Sequence, residues 1–373
     1  MTTPPFDLFL AAPPGLEPVL AAEAAAHGFP DPHAVPGGVE TKGGWPDIWR
    51  ANLHLRGAAR VLVRLGSFRA FHLAQLDKRA RKFPWGDVLR ADIPVRVEAT
   101  CRRSKIYHDR AAAQRVMRAI TETLGAPEGK GDDAVRILVR IEDDLVQISL
   151  DTSGAPLHRR GHKEFVGKAP MRETLAALFL RQMGYDGREP LVDPMCGSGT
   201  FVIEAAEIAL GFPPGRDRSF AFETLATADP DTIAGSRKHN PADAPSAEPL
   251  AFGFDRDDGA IRGARSNADR AGVSAATRFE RQPISDLIPP VPGPGLVLVN
   301  PPYGARIGNR KLLFGLYGSL GKVLMEGFSG WRVGVITSDG GLAKATGLPF
   351  LPAGPAVSLG GLKVTLWRTD PLP

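Results

Sequence analysis

Only two cysteines, Cys101 and Cys196, occur among the 373 residues, and the segments around them read as parts of different domains. Neither a disulfide framework nor a cysteine-built zinc site is available to this chain. No uninterrupted apolar run reaches the ~18 residues of a membrane helix, and Asp7 and Glu17 stand where a signal peptide would carry positive charge. The expectation is a cytoplasmic protein with no membrane partner. His158 and His162 lie in a basic stretch and not on one helix face with an acidic partner, so no metal site is expected. Acidic residues are also scarce locally: residues 50–118 hold 17 Lys and Arg against 5 Asp and Glu, in a chain of formal charge +5. Solvated charged faces usually mix signs, and a one-signed stretch points to nucleic acid. Apolar residues, at 43%, suffice for two or three cored domains.

Two strand ends carry the chemistry. Leu191-Val192-Asp193 runs into Pro194-Met195-Cys196-Gly197-Ser198-Gly199-Thr200, a short apolar strand, an acid and a glycine turn opening a helix. Such a turn lets the backbone approach a ligand and directs free amides at it. A dinucleotide fingerprint would need glycine where Val202 stands, and a phosphate-binding loop would need Gly-Lys-Ser/Thr. Both are missing. Asp193 beside free amides instead suits a ligand bearing an ammonium and a carboxylate, with a sulfonium between them and a nucleoside. Asp255, ending the strand of Phe252-Gly253-Phe254, is placed to accept ribose hydroxyls, and Asp286 an adenine amino group.

The second strand end is Asn300-Pro301-Pro302-Tyr303-Gly304, after Leu296-Val297-Leu298-Val299. An exocyclic amine on a base is a weak nucleophile, because its lone pair is delocalised into the ring. The Asn300 side-chain oxygen and the Pro301 carbonyl can accept its two N–H groups while Tyr303 stacks on the flipped base. The prolines hold the backbone so that both acceptors point one way. No strong base is required, and positioning carries most of the rate. Cytosine C5 methylation would need a cysteine nucleophile at the base, whereas Cys196 lies in the cofactor turn.

Along the chain, strands are expected at Asp7–Ala11, 37–42 and 60–68, with a helix over 14–26. A second α+β block has strands near 94–99, 135–141 and 145–151 and a helix over 110–124. Residues 172–373 alternate helix and strand as a doubly wound, mostly parallel sheet, with ligands expected at the carboxyl ends of its strands. Residues 212–250, rich in Pro, Ala, Asp and Ser, read as an irregular insertion.

With these residues in place, the chain resembles the THUMP-domain class I methyltransferases, and most closely the bacterial 23S ribosomal RNA guanine-N2 methyltransferases. The resemblance runs end to end. It rests on Phe6-Asp7-Leu8-Phe9 with Pro14-Gly15-Leu16-Glu17, Ser104-Lys105-Ile106-Tyr107-His108 with Ala113-Gln114-Arg115-Val116, Leu157-His158-Arg159-Arg160-Gly161, Ala169-Pro170-Met171-Arg172-Glu173-Thr174, and the two strand ends. It implies a ferredoxin-like domain at 1–65, a THUMP RNA-binding domain at 66–156, a linker at 157–171 and a Rossmann-like methyltransferase domain at 172–373. S-adenosylmethionine contacts are implied at Asp193, Pro194, Cys196, Gly197, Gly199, Thr200, Asp255 and Asp286, and guanine contacts at Asn300, Pro301 and Tyr303. RNA is expected at Arg102, Arg103 and Lys105 and at His158, Arg159 and Arg160. Some relatives carry a second methyltransferase domain, and with the chain ending at Pro373 that activity is expected to be absent. The implied reaction is guanosine N2 methylation in RNA, with 23S ribosomal RNA or, in a closely similar architecture, tRNA as substrate. A catalytically idle RNA-binding or assembly factor would keep the basic domains but not the Asn300 site. DNA adenine-N6 and protein glutamine methylation use a similar turn, and the preceding basic modules favour RNA over both.

Overall fold

The computed structural model describes residues 5–166, 171–237, 250–304 and 310–373. Ala169 and Pro170 of the quoted motif, and residues 238–249 of the expected insertion, lie outside these. The chain divides into two units. One contains residues 5–12, 20–157 and 215–237, the other 13–19, 158–214 and the described residues from 250 onward.

The first unit is built on a seven-stranded sheet ordered β2-β3-β1-β4-β7-β6-β5. Its elements in chain order are β1 (Phe6–Ala11), α1 (Glu17–Ala26), β2 (His33–Val35), β3 (Gly38–Gly43), α2 (Trp45–His54), β4 (Arg60–Arg69), α3 (Leu73–Ala80), β5 (Val95–Arg102), α4 (Asp109–Leu124), β6 (Val135–Glu142) and β7 (Leu145–Asp151). Alternation sets the faces: Val135, Ile137, Val139 and Ile141 of β6 are buried, while Arg136 and Arg140 between them are not. The long β4 pairs with β1 through its first half and with β7 along most of its length, with an irregularity between Arg64 and Gly66. The boundary expected between residues 65 and 66 therefore falls inside a strand. A single sheet runs through both N-terminal modules, because β4 hydrogen-bonds on both edges.

Residues 215–237 correct the expectation of an irregular insertion. They contain α7 (Pro230–Arg237) and belong to the first unit. The Arg218 guanidinium donates to the carbonyls of Pro156 and Ala155 at 2.8 and 2.6 Å. The Phe222 amide donates to Thr152 (3.0 Å), and the Phe222 ring is buried with its centroid 6.4 Å from that of Trp49. Few apolar residues are present here, but Phe220, Phe222 and Leu225 are all buried, and burial of large rings is enough to order the segment.

The second unit contains α5 (Glu173–Gln182), β8 (Leu191–Asp193), α6 (Thr200–Ala209), β9 (Ala251–Asp255), α8 (Asp258–Arg270), β10 (Thr277–Arg281), β11 (Leu296–Val299), α9 (Arg310–Gly327), β12 (Arg332–Thr337), α10 (Gly340–Ala345), β13 (Ala356–Leu359) and β14 (Leu362–Arg368). Its sheet is ordered β10-β9-β8-β11-β12-β14-β13, with the first five strands parallel and the last two antiparallel. All four residues of β11 are buried, as a central strand covered on both faces requires. Strand order reverses between β8 and β11, which puts the ligand crevice at their carboxyl ends.

Candidate active site

Register places the acids. Asp193 aligns with Gly253 on β9, and Val192 with Val297 on β11, so Asp255 and Asn300 both lie two residues beyond the level of Asp193, on opposite sides of β8. With neighbouring strands ~4.8 Å apart, the two strand ends are separated by about 10 Å, room for a ligand over the end of β8.

The glycine turn is held by its own backbone and by Asp255. The Cys196 amide donates to the Phe254 carbonyl (2.9 Å) and the Gly199 amide to the Cys196 carbonyl (2.8 Å). Asp255 accepts from the Gly197 amide at 3.1 Å and from the Asp257 amide at 2.9 Å. Gly197 and Gly199 have φ of +53° and +80°, a region closed to most side chains, and Gly199 caps α6. A Cβ at Gly197 would meet nothing within 4 Å, so the turn has an open side there. Asp193 is buried and accepts from the Met195 amide at 3.1 Å. Burial, with the Asp255 charge adding to it, pushes its carboxyl up to about 8. A buried acid in this condition calls for a cation, and the turn beside it is open to a ligand at Gly197. The donor set fits the amino-acid end of a sulfonium nucleoside.

Pro194, Cys196 and Thr200 are buried in the turn or at its end. The Thr200 hydroxyl accepts from Lys163 Nζ at 2.9 Å and lies 3.3 Å from the Ser198 hydroxyl. Burial raises the Cys196 thiol well above its ordinary range, so it has no thiolate character and packs as a small apolar side chain. Asp286 ends a short 3-10 turn, Ile284–Asp286, and is exposed, accepting from the Ser285 hydroxyl at 2.8 Å.

At the end of β11, the Asn300 side-chain oxygen is buried and has no hydrogen-bond partner among the described residues. Such an atom costs free energy unless a ligand donates to it. Pro301 is buried, and Tyr303 packs partly against the core, its phenol pushed by burial to about 12. Tyr317 of α9, which sequence reasoning did not single out, is fully buried and donates to the Pro302 carbonyl at 3.3 Å. Among the described residues no group of three or more His, Cys, Asp and Glu could hold a metal ion, and no helix is long and apolar enough to cross a membrane.

The basic residues divide. Arg102 at the end of β5 and Lys105 beyond it are exposed, with Lys105 Nζ 5.0 Å from the Phe71 ring centroid. Arg103 is held by Glu142 at 2.6 Å and Asp143 at 3.1 Å. The window 50–118 overstates its own surplus, because Arg60, Arg64, Arg81, Arg103 and Arg118 all pair with acids outside it: Asp151, Glu40, Glu122, Glu142 and Glu122 respectively. Arg160 is a correction. It is 3% exposed and pairs with Glu204 at 3.4 Å, so it cannot reach RNA. His162 Nδ1 lies 3.9 Å from Glu207, one turn further along α6. Two glutamates inside an otherwise apolar helix were a legible sign that buried basic side chains would meet them. Arg159 is exposed and His158 half-buried. Burial, then the charges of Arg172, Arg159, Arg160 and Lys163, lowers the His158 imidazole to about 4, so it is neutral at pH 7. The expected linker is thus partly built into the second unit.

Comparison with known proteins agrees with this architecture. Residues 160–349 match the family model described as RMKL-like, methyltransferase domain, and residues 7–62 match the RlmL ferredoxin-like domain. The Ribosomal RNA large subunit methyltransferase K/L of Syntrophotalea carbinolica is 37% identical over 92% of this chain and 51% of its own length. The chain spans about half the length of the curated relatives it matches. A crystal structure of SMU.472 complexed with SAH superposes with a TM-score of 0.89 at 27% identity, covering 100% of both chains. That of a possible methylase from Clostridium difficile 630 gives 0.87 at 30% identity over 99% of each. With its glycine turn, its two acid-bearing strand ends and its Asn-Pro-Pro-Tyr turn in one parallel sheet, the chain belongs to the RMKL-like methyltransferase-domain family.

Proposed function

We propose that this chain methylates the exocyclic N2 of a guanosine in RNA, with S-adenosylmethionine as methyl donor and large-subunit ribosomal RNA as substrate. The observation that carries the reading is the buried, unpartnered Asn300 oxygen two residues above the level of Asp193. Bound there, the cofactor supplies an electrophilic methyl on sulfur. Asp193 faces its ammonium, the side of the glycine turn that is open at Gly197 receives its carboxylate, and Asp255 and Asp286 receive ribose and adenine. Asn300 and the Pro301 carbonyl accept the N2 hydrogens of the guanine while Tyr303 stacks on its face. Transfer would break the S–CH3 bond, release S-adenosylhomocysteine and form the N2–C bond, with the amine proton passing to solvent as or after the methyl arrives, so no residue here has to act as a strong base. The name of the K/L relatives supports ribosomal RNA, and the exposed Arg102 and Lys105 supply phosphate contacts.

Inosine lacks only the N2 amine. RNA carrying guanosine at the target should take up one methyl, mapped by mass spectrometry of the digested product, and inosine-substituted RNA should take up none there. Methylation of the inosine nucleotide would sink the N2 assignment, and methyl on adenosine would move the reaction to N6.

A further inference from the structure

Asn267 is fully buried on α8, and every capacity of its amide is used. Its Nδ2 donates to the Ser198 carbonyl inside the glycine turn and to the Phe165 carbonyl, each at 3.1 Å. Its Oδ1 accepts from the amides of Glu164 and Phe165, each at 3.2 Å, and from Arg270. One side chain therefore bridges the turn to a segment far earlier in the chain. Gly263, one helical turn before Asn267 on the same stripe, explains how that segment comes so close: a Cβ there would stand 2.3 Å from the Phe165 ring. Glycine is a poor helix former, and here the ring occupies the place of its missing side chain. The neighbouring Lys163 braces the other end of the turn, donating to the Thr200 hydroxyl at 2.9 Å and the Met171 carbonyl at 2.7 Å, and pairing with Glu173 at 3.1 Å.

We propose that Asn267 is a positioning residue for methyl transfer: by bridging Ser198 to Phe165 it holds the glycine turn in the geometry that receives the cofactor, and it makes residues 163–165 part of the cofactor site's support. The inference rests on the cofactor reading given above. Asn267 meets the Ser198 carbonyl and not the side chains of Asp193, Asp255 or Asn300, so its effect runs through the backbone of the turn.

Two variants of the full chain test it. Asn267→Ala removes both halves of the bridge. Asn267→Asp keeps an acceptor for the amides of 164 and 165 and for Arg270, but presents a carboxylate to the Ser198 and Phe165 carbonyls. Both should bind S-adenosylhomocysteine about tenfold more weakly by calorimetry, and raise KM for S-adenosylmethionine while kcat at saturation stays within about twofold. In ligand-free hydrogen exchange, the amides of 198–200 should exchange faster in both variants. Those of 164–165 should speed up only in Asn267→Ala. Wild-type affinity in both variants, even with a lowered melting temperature, would overturn the proposal by making Asn267 a packing residue alone. If the wild-type chain takes up no S-adenosylhomocysteine, the cofactor reading is what fails. Unchanged exchange at 198–200 in both variants would overturn the bridge independently of any ligand.

Discussion

The Tyr317 hydroxyl donates to the Pro302 carbonyl at 3.3 Å, so a side chain from the middle of α9 holds the turn that carries Asn300 and Tyr303, the residues proposed to meet the base. Removing such a bond costs roughly 1 kcal/mol, about fivefold in a rate. Tyr317→Phe should therefore lower the single-turnover methylation rate by about that factor, with affinity for S-adenosylhomocysteine unchanged. An unchanged rate would mean that the two prolines hold the turn without help.

The two strand ends should fail separately. Asn300→Ala is expected to abolish transfer and leave S-adenosylhomocysteine binding near normal, because Asn300 is placed for the base amine. Asp193→Ala should lose cofactor binding. Calorimetric titration of both variants decides, and a reversal of the pattern would exchange the assigned roles.

Burial, then the charge of Asp255, pushes the Asp193 carboxyl up to about 8, against ~3.9 for an unperturbed aspartate. In the ligand-free protein the folded state holds this proton between those values. Its contribution to stability is thus fully present below about pH 4 and is lost as pH rises through 8. An ammonium ligand favours the ionised form and must displace the proton. Cofactor affinity should rise with pH from 6 to 8, by up to about tenfold per unit, and level off above. Binding at pH 7 should release a proton, seen as a dependence of the calorimetric enthalpy on the buffer. Asp193→Asn should bind weakly and without this pH dependence. A flat profile in the wild type would show that Asp193 is already ionised.

Salt dependence should separate the exposed cations from the committed ones. Each phosphate contact contributes about one unit of slope, so Arg102→Ala and Lys105→Ala should each make RNA binding shallower in salt by roughly that amount. Arg103→Ala should do less, since Glu142 and Asp143 already hold that guanidinium. Arg160→Ala should leave the RNA slope unchanged and lower the melting temperature instead, because the buried Glu204 would lose its guanidinium partner Arg160. A lost salt slope in Arg160→Ala would return this residue to the RNA surface.

Local pattern determined much of this protein. The unbroken run Leu296–Val299 reads as a strand buried on both faces, and β6 and β7 fall within a residue of their expected spans, β6 with the alternation of its side chains. Glycines at 197 and 199 mark a turn whose backbone needs positive φ, and the order of acid, glycine turn and Asn-Pro-Pro-Tyr identifies the ligand end of the sheet. Helix α2 was not anticipated, although Pro46 in its first turn and Asp47, whose carboxylate accepts from the Gly44 amide, are start signals in the sequence. What only the tertiary structure decided is where each charged or amide side chain finds its partner. Arg60 meets Asp151, Arg160 meets Glu204, and Asn267 meets both Ser198 and Phe165. Those pairings span long separations, and no local period or composition encodes them. The same holds for residues 215–237, whose chemistry reads as loop and whose place was set by where Phe222 could be buried. Sequence dictates which groups need a partner, because hydrogen bonding and burial are properties of residue types; only the folded chain determines which partner is within reach.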